Sequence, residues 1–526
     1  MKKIIESNII GYELSNLGKE YTLSIDPTNN EKLTEKFSNA TLDEINYAIK
    51  KSKDAFYLFK EVSSKERAYF IETIANNIMD LGDTLIHRVQ KETGLTEQRI
   101  IGERGRTVGQ LKLFAELIKD GSWVDASIDL AELSRTPIPK PDLRKKLHPL
   151  GPVVVFAASN FPLAYSTAGG DAACALAAGN TLIVKAHSAH PGTSALIGEA
   201  IMEASKKCEM PDGVFSLLHG SGSFVGQHLI KHPDIKAGGF TGSEKAGMIL
   251  HKIATDRDEP IPFFAEMGSI NPVLLFDSAL NNQTIDLLVG SITLGVGQFC
   301  TNPGLIICQQ NEKLDDFIQK LSSKIKNTKP ATMLNPNICL SYNKSIKNMF
   351  DESLITMEGT LGQTDDANNG MSMIGYIDGH IFLKNNHLKN EVFGPFSLIV
   401  KCKDLEEINK VILAIKGQLT GSIFANEIEL KKISKTIDLM KSKVGRIIYN
   451  GVPTGVEVCT SMHHGGPFPA SSDSRFSAVG SDAIKRFVRP ISYQSFPQEM
   501  LPDELKDDNP LNIFRNVNGT LTKNKI

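Results

Sequence analysis

The chain has 526 residues, of which 41% are hydrophobic and 22% are charged, a balance typical of a globular protein with several domains. Its 58 Lys and Arg and 60 Asp and Glu residues give a formal net charge of −2, so the composition favours neither nucleic acid nor an anionic membrane surface as a partner. The N-terminal segment lacks the apolar run of a secretory signal, and no later run is long enough to span a membrane, so we expect a cytoplasmic protein.

Seven cysteines lie far apart in the sequence, none forms a CxxC pair, and their number is odd. This spacing predicts neither a disulfide framework nor a zinc site, and most of the thiols are expected to be buried and inert. His463 and His464 are adjacent and have no accompanying carboxylate cluster, so we expect no metal site there.

The first 120 residues are predicted to be mostly helical. Thr41 and Glu44 have the spacing of a capping box before an amphipathic run, and a second helical pattern extends from Lys65 to about Lys91. Residues 121–147 contain the single Trp and three prolines without a sustained period. They are predicted to form an extended hairpin or an interface arm, with a linker as the alternative.

From residue 151 onwards, short β-rich runs alternate with helical patterns such as 193–206 and 243–255. The predicted strands are VVVFAA, TLIVK, VFSLLH, IKAGGF and PFFAE, followed by PVLLF, LIICQ, FSLIVK, GSIFA and RIIYN. Such alternation indicates parallel sheets with right-handed crossovers, and two successive α/β domains fit it better than one wide sheet. The polar tail after Pro497 is expected to be loosely held.

Three residues near the ends of these elements have side chains suited to catalysis. Cys300 in GQFCTNPG is a possible nucleophile, Glu266 at the end of PFFAE is a possible general base, and Asn160 in AASNFP is a possible oxyanion donor. Taken singly, each has a structural alternative: a buried core thiol, a solvated strand-end carboxylate, and a turn residue before a proline.

Other strand ends carry residues suited to binding a nucleotide. Lys185 ends the strand TLIVK, where a ribose or phosphate would lie, although an ordinary solvated lysine is the alternative. The glycines of GSGSFVG follow the next strand but do not have Rossmann spacing, so they are weak evidence. Ser243, after Gly242, is a helix N-cap that could bind an anion.

In their order along the chain, SNFP, Lys185, GSGSFVG, FTGS, AEMGS, GQFCTNPG and EVFGP resemble the NAD(P)-dependent aldehyde dehydrogenase superfamily. The resemblance extends from about residue 40 to 495 and includes the 34-residue step from Glu266 to Cys300. It implies an α/β fold with two Rossmann-type parallel-sheet domains, a small oligomerisation sheet, and a homodimer or homotetramer. The expected division is a dinucleotide-binding domain (1–120 and 148–265), a catalytic domain (266–480), an oligomerisation arm (121–147 and 481–500) and a C-terminal tail (501–526).

The resemblance also implies catalytic roles. Cys300 would attack the aldehyde carbon, and Asn160 with the Cys300 backbone N–H would hold the oxyanion. Glu266 would activate the water that hydrolyses the resulting thioester. A Cys-dependent ester or thioester hydrolase remains the alternative from another class, but it would have no use for the nucleotide-binding residues.

For the cofactor, the resemblance assigns Lys185 to the adenosine ribose, Glu391 to the nicotinamide ribose and Phe393 to the nicotinamide ring. Many NAD-preferring members have an acidic residue three positions after this lysine, whereas Ser188 stands there in this chain. With His187 and Thr193 as further donors, we expect NADP to be the cofactor, with NAD possible. The remaining expected cofactor residues are Gly222, Gly226, Gly242 and Ser243.

Within the superfamily, segments such as AHSAHPGT, AEMGSINPV and RFVRPISYQ are most similar to the branch that oxidises 2,5-dioxopentanoate (α-ketoglutarate semialdehyde). The alternative is the branch of NADP-dependent long-chain fatty aldehyde dehydrogenases. A dicarboxylate product needs a cation, for which Arg475 is a candidate, although a structural pair with Asp473 is the other interpretation. A fatty chain needs an apolar tunnel, for which the candidates are Phe161, Phe299 and Phe468.

Overall fold

The computed structural model describes residues 3–350, 355–359 and 367–526. Within these ranges, two seven-stranded sheets each form the centre of an α/β unit. A third, five-stranded sheet shares no strand pairing with either of them. The predicted α/β fold with two parallel sheets and a small third sheet is confirmed. The described residues contain no helix that is both long and apolar enough to cross a membrane.

The first sheet contains all five strands predicted between residues 151 and 266. These five strands pair in parallel, and the two N-terminal strands complete the sheet in antiparallel pairing. In spatial order the strands are Phe263–Glu266, Ala237–Thr241, Val153–Phe156, Leu182–Lys185, Phe215–Leu218, Asn8–Ile10 and Glu13–Ser15. The accompanying helices are Leu42–Phe59, Ser64–Asp80, Gly82–Thr93, Glu97–Asp120, Gly170–Ala177, Pro191–Lys207, Gln227–Lys231 and Glu244–Thr255.

Helices cover both faces of this sheet, which explains why its strands are continuous apolar runs. Val153 and Val155 point into one buried cluster, whereas Val154 and Phe156 point into the cluster on the opposite face. Because successive side chains of a strand alternate between faces, a strand buried on both faces needs apolar residues at every position.

The second sheet contains the five strands predicted after residue 266. Six of its strands are parallel, and one edge strand is antiparallel. In spatial order they are Thr356–Gly359, Met373–Asp378, Phe396–Cys402, Leu305–Gln309, Pro272–Leu275, Gln418–Phe424 and Val444–Tyr449. The helices are Asn282–Thr293, Leu314–Lys326, Pro336–Phe350, Gly379–Lys384, Leu405–Ala414, Glu427–Lys432 and Ser434–Lys441.

The third sheet corrects the expectation of a loosely held C-terminal tail. Its strands, in spatial order, are Val488–Gln494, Leu143–Pro149, Ser127–Asp129, Arg515–Val517 and Thr520–Thr522. The last two come from the tail, which is anchored by the buried side chains of Leu501, Leu505 and Ile513 against Ile128. Residues 121–147 form the predicted extended structure as part of this sheet.

The helical predictions near the N-terminus need one correction. Thr41 caps the first helix and Glu44 completes the predicted capping box. The pattern from 65 to 91, however, forms two helices, because Gly82 adopts a φ of 50° and interrupts the first at Leu81. The remaining short strand pairs are Tyr21–Thr22 with Phe37–Ser38 and Ala331–Thr332 with Asn369–Gly370.

The edge strand Phe263–Glu266 is covered by a segment from the far end of the chain. The N–H of Met267 donates to the carbonyl of Ala470 (2.8 Å), and the N–H of Ser472 donates to the carbonyl of Ala265 (2.9 Å). The Ser472 hydroxyl donates to the carbonyl of Phe263 (2.7 Å). This segment therefore acts as an additional partial strand beside the residue that carries the candidate base.

Candidate active site

Cys300 lies in the loop between the helix Asn282–Thr293 and the strand Leu305–Gln309. The Asn271 side chain donates to the carbonyls of Cys300 and Asn302, both at 2.8 Å, and holds this loop in position. Gly297 has a φ of 64°, and a Cβ there would lie 2.3 Å from the carbonyl carbon of Gly394. Glycine thus allows the loop that carries Cys300 to contact the loop that carries Glu391 and Phe393.

Glu266 and Cys300 are brought together as predicted, and His464 lies between them. Nε2 of His464 lies 2.8 Å from Oε1 of Glu266 and 3.6 Å from Sγ of Cys300. His464 is 2% exposed and Glu266 is 5% exposed, so this contact is largely shielded from bulk water. A single ring nitrogen faces both the thiol and the carboxylate. In the tautomer that carries its hydrogen on Nδ1, Nε2 can accept the thiol proton, and the imidazolium that results then donates from Nε2 to the carboxylate.

The environment of Cys300 favours the protonated thiol. Burial raises the pKa of Cys300 well above its ordinary value, and the negative charges of Glu266 and Glu391 raise it further. Arg106 is the positive charge that opposes this shift of the pKa. Because the thiolate is the nucleophilic form, the free protein needs a neighbouring base to activate this cysteine.

Among the described residues, Glu266, Cys300 and His464 have ligand atoms that lie within 4.8 Å of one another. Such a group has the donor types of a zinc site, although the sequence predicts no metal site at His464. It equally has the composition of a nucleophile with its base, as in other Cys–His pairs.

Asn160 follows the strand Val153–Phe156, as predicted, and lines the same cleft as Cys300. Its Nδ2 donates to the carbonyl of Gln298 at 3.1 Å. That bond attaches the amide to the loop that carries Cys300, and the second N–H of the amide is the kind of donor that an oxyanion in this cleft requires.

A cleft of about 360 Å³ extends from Cys300 along the carboxyl ends of the first sheet. It brings together eight of the residues singled out in the sequence, although they come from both sheets. They are Asn160, His187, Gly242, Ser243, Glu266, Cys300, Glu391 and Phe393. Ser243 is the N-cap of the helix Glu244–Thr255, as predicted, and its hydroxyl accepts from the N–H of Ala246.

Glu391 is packed against the backbone on the opposite side of the cleft. A Cβ at Gly268 would lie 2.3 Å from Oε2 of Glu391, and the N–H of Ser269 donates to Oε1 at 3.4 Å. Burial raises the pKa of Glu391 to about 7. A carboxylate in this setting is suited to accept bonds from sugar hydroxyls, which would satisfy oxygens that are desolvated without them.

Lys185 ends its strand as predicted but is 7% exposed rather than solvated, and burial lowers its pKa to about 8. Ser188 is exposed, three residues further on. Thr193 is not available as a phosphate donor, because its hydroxyl and N–H both donate to Glu92 at 2.7 Å.

The glycine-rich turn after the strand Phe215–Leu218 begins a short wide helical turn over Gly222–Gly226. A Cβ at Gly226 would lie 2.9 Å from the Phe156 ring, so this glycine allows the turn to pack on the sheet. Gly222 has open space around it. Neither glycine lines the cleft.

The aromatic residues predicted for the substrate side lie in two different places. Phe161 and Phe299 pack edge to face, with ring centroids 5.5 Å apart, in a cluster with Tyr165 and Val479. Phe468 lies outside this cluster, is 58% exposed, and accepts a bond from the N–H of Gly417.

Arg475 also lies outside the aromatic cluster. Its side chain is 79% exposed, and its Nε donates to Asp473 at 2.9 Å, which corresponds to the structural alternative. The sequence offers Arg475 as a cation for a dicarboxylate product and Phe468 as part of an apolar tunnel, but both side chains are largely exposed.

Sequence reasoning missed His464 and three arginines, Arg99, Arg106 and Arg446. Arg99 and Arg106 lie on the helix Glu97–Asp120 and stack on the aromatic cluster. Their spacing of seven residues, two helical turns, was the one local signal that could have indicated a shared face. For His464 no comparable signal exists, because its partners are distant in the sequence.

The model of the aldehyde dehydrogenase family matches residues 15–488. The chain is 46% identical over 504 residues to alpha-ketoglutaric semialdehyde dehydrogenase 2 of Azospirillum brasilense, covering 94% of this chain and 95% of that protein. It is 43% identical over 505 residues to alpha-ketoglutaric semialdehyde dehydrogenase of Acinetobacter baylyi, covering 95% and 96%.

Solved structures share the fold. A betaine aldehyde dehydrogenase of Staphylococcus aureus in complex with NAD⁺ matches with a TM-score of 0.81 at 20% identity, covering 94% of this chain and 95% of that one. A glyceraldehyde-3-phosphate dehydrogenase of Methanocaldococcus jannaschii complexed with NADP matches with a TM-score of 0.76 at 20% identity, covering 91% and 99%. With the family model matched over most of its length, the chain belongs to the aldehyde dehydrogenase family and is an oxidoreductase.

Proposed function

We propose that this protein oxidises 2,5-dioxopentanoate to 2-oxoglutarate with NADP as the cofactor. The proposal for the substrate rests on the two relatives above, which carry the name alpha-ketoglutaric semialdehyde dehydrogenase and match nearly the whole chain. The single observation that carries the chemistry is the contact of His464 with both Cys300 and Glu266 at one end of the cleft.

The residues that line the cleft, together with Lys185 at the end of a strand next to it, have the polar groups that a nicotinamide dinucleotide needs. Lys185 is a buried cation at the end of its strand, where it would bind the adenosine ribose. Glu391 would accept bonds from the other ribose, and Phe393 would pack beside the nicotinamide. A nicotinamide held by these residues would supply the acceptor for the hydride that the oxidation removes from the aldehyde carbon.

The residues of the chain would act in two stages. In the first, His464 accepts the Cys300 proton and the thiolate attacks the aldehyde carbon. Asn160 and the backbone N–H of Cys300 donate to the oxyanion, and one such donor is worth ~3–4 kcal/mol. In the second stage, Glu266 takes a proton from the water that hydrolyses the thioester, which releases the acid and restores the thiol.

The preference for NADP rests on the residues that follow Lys185. The segment AHSAHPGT contains no acidic residue, so it has no carboxylate to bind the 2′-hydroxyl of NAD or to repel a 2′-phosphate. The exposed Ser188 and the neighbouring His187 are the remaining donors of that segment.

The test is a panel of aldehydes with each cofactor, followed by the absorbance of the reduced cofactor. The proposal expects the highest kcat/KM with 2,5-dioxopentanoate and NADP. A preference for long unbranched aldehydes would favour the fatty aldehyde alternative, to which the apolar cluster around Phe161 and Phe299 would be suited. Hydrolysis of an activated ester, with no cofactor reduction on any aldehyde, would favour the hydrolase alternative.

We also propose the division into domains given above, with the third sheet as an oligomerisation surface. Large apolar side chains are exposed on its strands and connecting loop, among them Leu133 (78%), Ile138 (69%) and Leu521 (70%). Light scattering should give the mass of a dimer or tetramer, and L133D/I138D should give a smaller species. A monomer in the unaltered protein would contradict this assignment.

A further inference from the structure

Two arginines on one helix lie against the aromatic cluster beside Cys300. Arg99 and Arg106 are two turns apart on the helix Glu97–Asp120, so they share a face. The guanidinium carbon of Arg99 lies 4.5 Å from the ring centroid of Phe161, and that of Arg106 lies 5.4 Å from the same ring. Arg106 also lies 5.3 Å from the ring centroid of Tyr165.

The single carboxylate between these arginines is already engaged. Oε1 of Glu103 accepts bonds from the N–H groups of Leu163 and Ala164, at 2.8 and 2.9 Å, while Oε2 lies 3.2 Å from Arg99. Glu103 therefore balances the positive charge of Arg99, and its two backbone hydrogen bonds hold the segment that carries Phe161.

Arg106 has no carboxylate partner among the residues that the structure describes. Its Nη2 donates to the Tyr165 hydroxyl at 3.2 Å, and its Nε is buried without a hydrogen-bond partner. A cation with unused donors at a partly buried position is costly unless an anion reaches it.

A third arginine reaches the same cluster from the second sheet. Arg446, on the strand Val444–Tyr449, donates to the carbonyls of Pro453 and Gly455 and contacts the sulfur of Met462 at 3.9 Å. Met462 packs on the aromatic cluster, and Nε of Arg446 is buried without a partner. Within the described ranges, Arg446 also has no carboxylate partner.

We propose that Arg106, assisted by Arg99 and Arg446, binds the carboxylate at the far end of an aldehyde acid whose carbonyl carbon lies at Cys300. This inference rests on the proposed function for the identity of the substrate, and it replaces Arg475 as the candidate cation. The aromatic rings would contact the short carbon chain between the two ends. Planar guanidinium groups suit this task because they bind carboxylates in a two-point fork.

The test compares 2,5-dioxopentanoate with pentanal, an uncharged aldehyde of equal chain length, in R106M and in R104M. Arg104 lies on the same helix, but it donates to the carbonyl of Gly82 at 3.2 Å and does not stack on the cluster, so it is a matched control. We expect R106M to lower kcat/KM for 2,5-dioxopentanoate, relative to that for pentanal, about 10- to 100-fold. The loss of a hydrogen bond to a charged group changes binding by about this factor. R104M should leave the ratio unchanged.

Inhibition by a substrate analogue tests carboxylate binding separately from the turnover of 2,5-dioxopentanoate. Glutarate, a dicarboxylate without an aldehyde, should inhibit pentanal oxidation competitively in the unaltered protein and at least tenfold more weakly in R106M, and R106K should recover part of that inhibition. Equal losses on both aldehydes, or the same loss in R104M, would overturn the arginine subsite. Failure of the unaltered protein to oxidise 2,5-dioxopentanoate would overturn the proposed function instead, because the glutarate measurement would still decide whether Arg106 binds a carboxylate.

Discussion

Replacing His464 by Gln should leave the fold intact but remove the base that lies between Cys300 and Glu266. The glutamine amide can still donate to the carboxylate, but it cannot accept a proton from the thiol. The structure sets the direction of the effect through the 3.6 Å contact of Sγ with Nε2 and the raised pKa of Cys300.

The magnitude follows from the population of thiolate. A cysteine with the ordinary pKa of about 8.5 is roughly one-tenth ionised at pH 7.5, and every unit by which the pKa is raised lowers that fraction about tenfold. A general base typically increases the rate of such a proton-transfer step by about 10²- to 10⁴-fold. We therefore expect H464Q to lower kcat/KM at pH 7.5 at least 100-fold, and to recover activity as the pH rises.

Two assays report on this step. The rate of alkylation of Cys300 by iodoacetamide should fall in H464Q, and the first-turnover burst of reduced cofactor should slow in parallel. H463Q is the matched control, since it alters the adjacent imidazole. An unchanged alkylation rate and burst in H464Q would refute the reasoning and leave Glu266 as the base for both stages.

Three further predictions concern neighbouring residues. E266Q should give one burst of reduced cofactor and then stop, because the thioester would form without a base for its hydrolysis; unchanged steady-state turnover would exclude Glu266 from that role. Because the pKa of Glu391 is raised to about 7, its carboxyl gains charge as the pH rises through 7. Cofactor binding should therefore tighten from pH 6 to pH 7, below the range in which Lys185 loses its charge, and this gain should be absent in E391Q. A pH-independent affinity in the unaltered protein would count against Glu391 as a ribose ligand. S188E should weaken NADP binding at least tenfold more than NAD binding, and equal losses would contradict the proposed cofactor preference.

Much of the fold was predictable because its strands are buried on both faces. Val153–Phe156 is apolar at every position, the strand Leu305–Gln309 is apolar up to its last residue, and the helices between such runs have clear periods. Cys300, Glu266 and Asn160 could be singled out as polar residues near the ends of strands. The order of their motifs along the chain indicated the family.

The remainder depends on contacts between distant parts of the chain. His464 and Glu266 are in contact although 198 positions separate them in the sequence, and no local sequence pattern predicts such a contact. The tail strand Arg515–Val517 is three residues long in a polar segment, and it exists because Ser127–Asp129 offers it a partner. The pair of Arg475 and Asp473, by contrast, is a local contact between residues two positions apart, and the sequence already offered it as one of the two interpretations of Arg475.

The segment around Ala470 and Ser472 lies along the edge strand Phe263–Glu266. It affects both the position of the catalytic residues and the tendency of the protein to aggregate. Its backbone bonds cap an edge that would otherwise be open to pairing with another molecule. The same bonds fix the register between the strand bearing Glu266 and the loop bearing His464. A substitution that detaches this segment, such as one at Ser472, should therefore impair proton transfer and promote aggregation together, and a screen for lost activity alone would mistake one defect for the other.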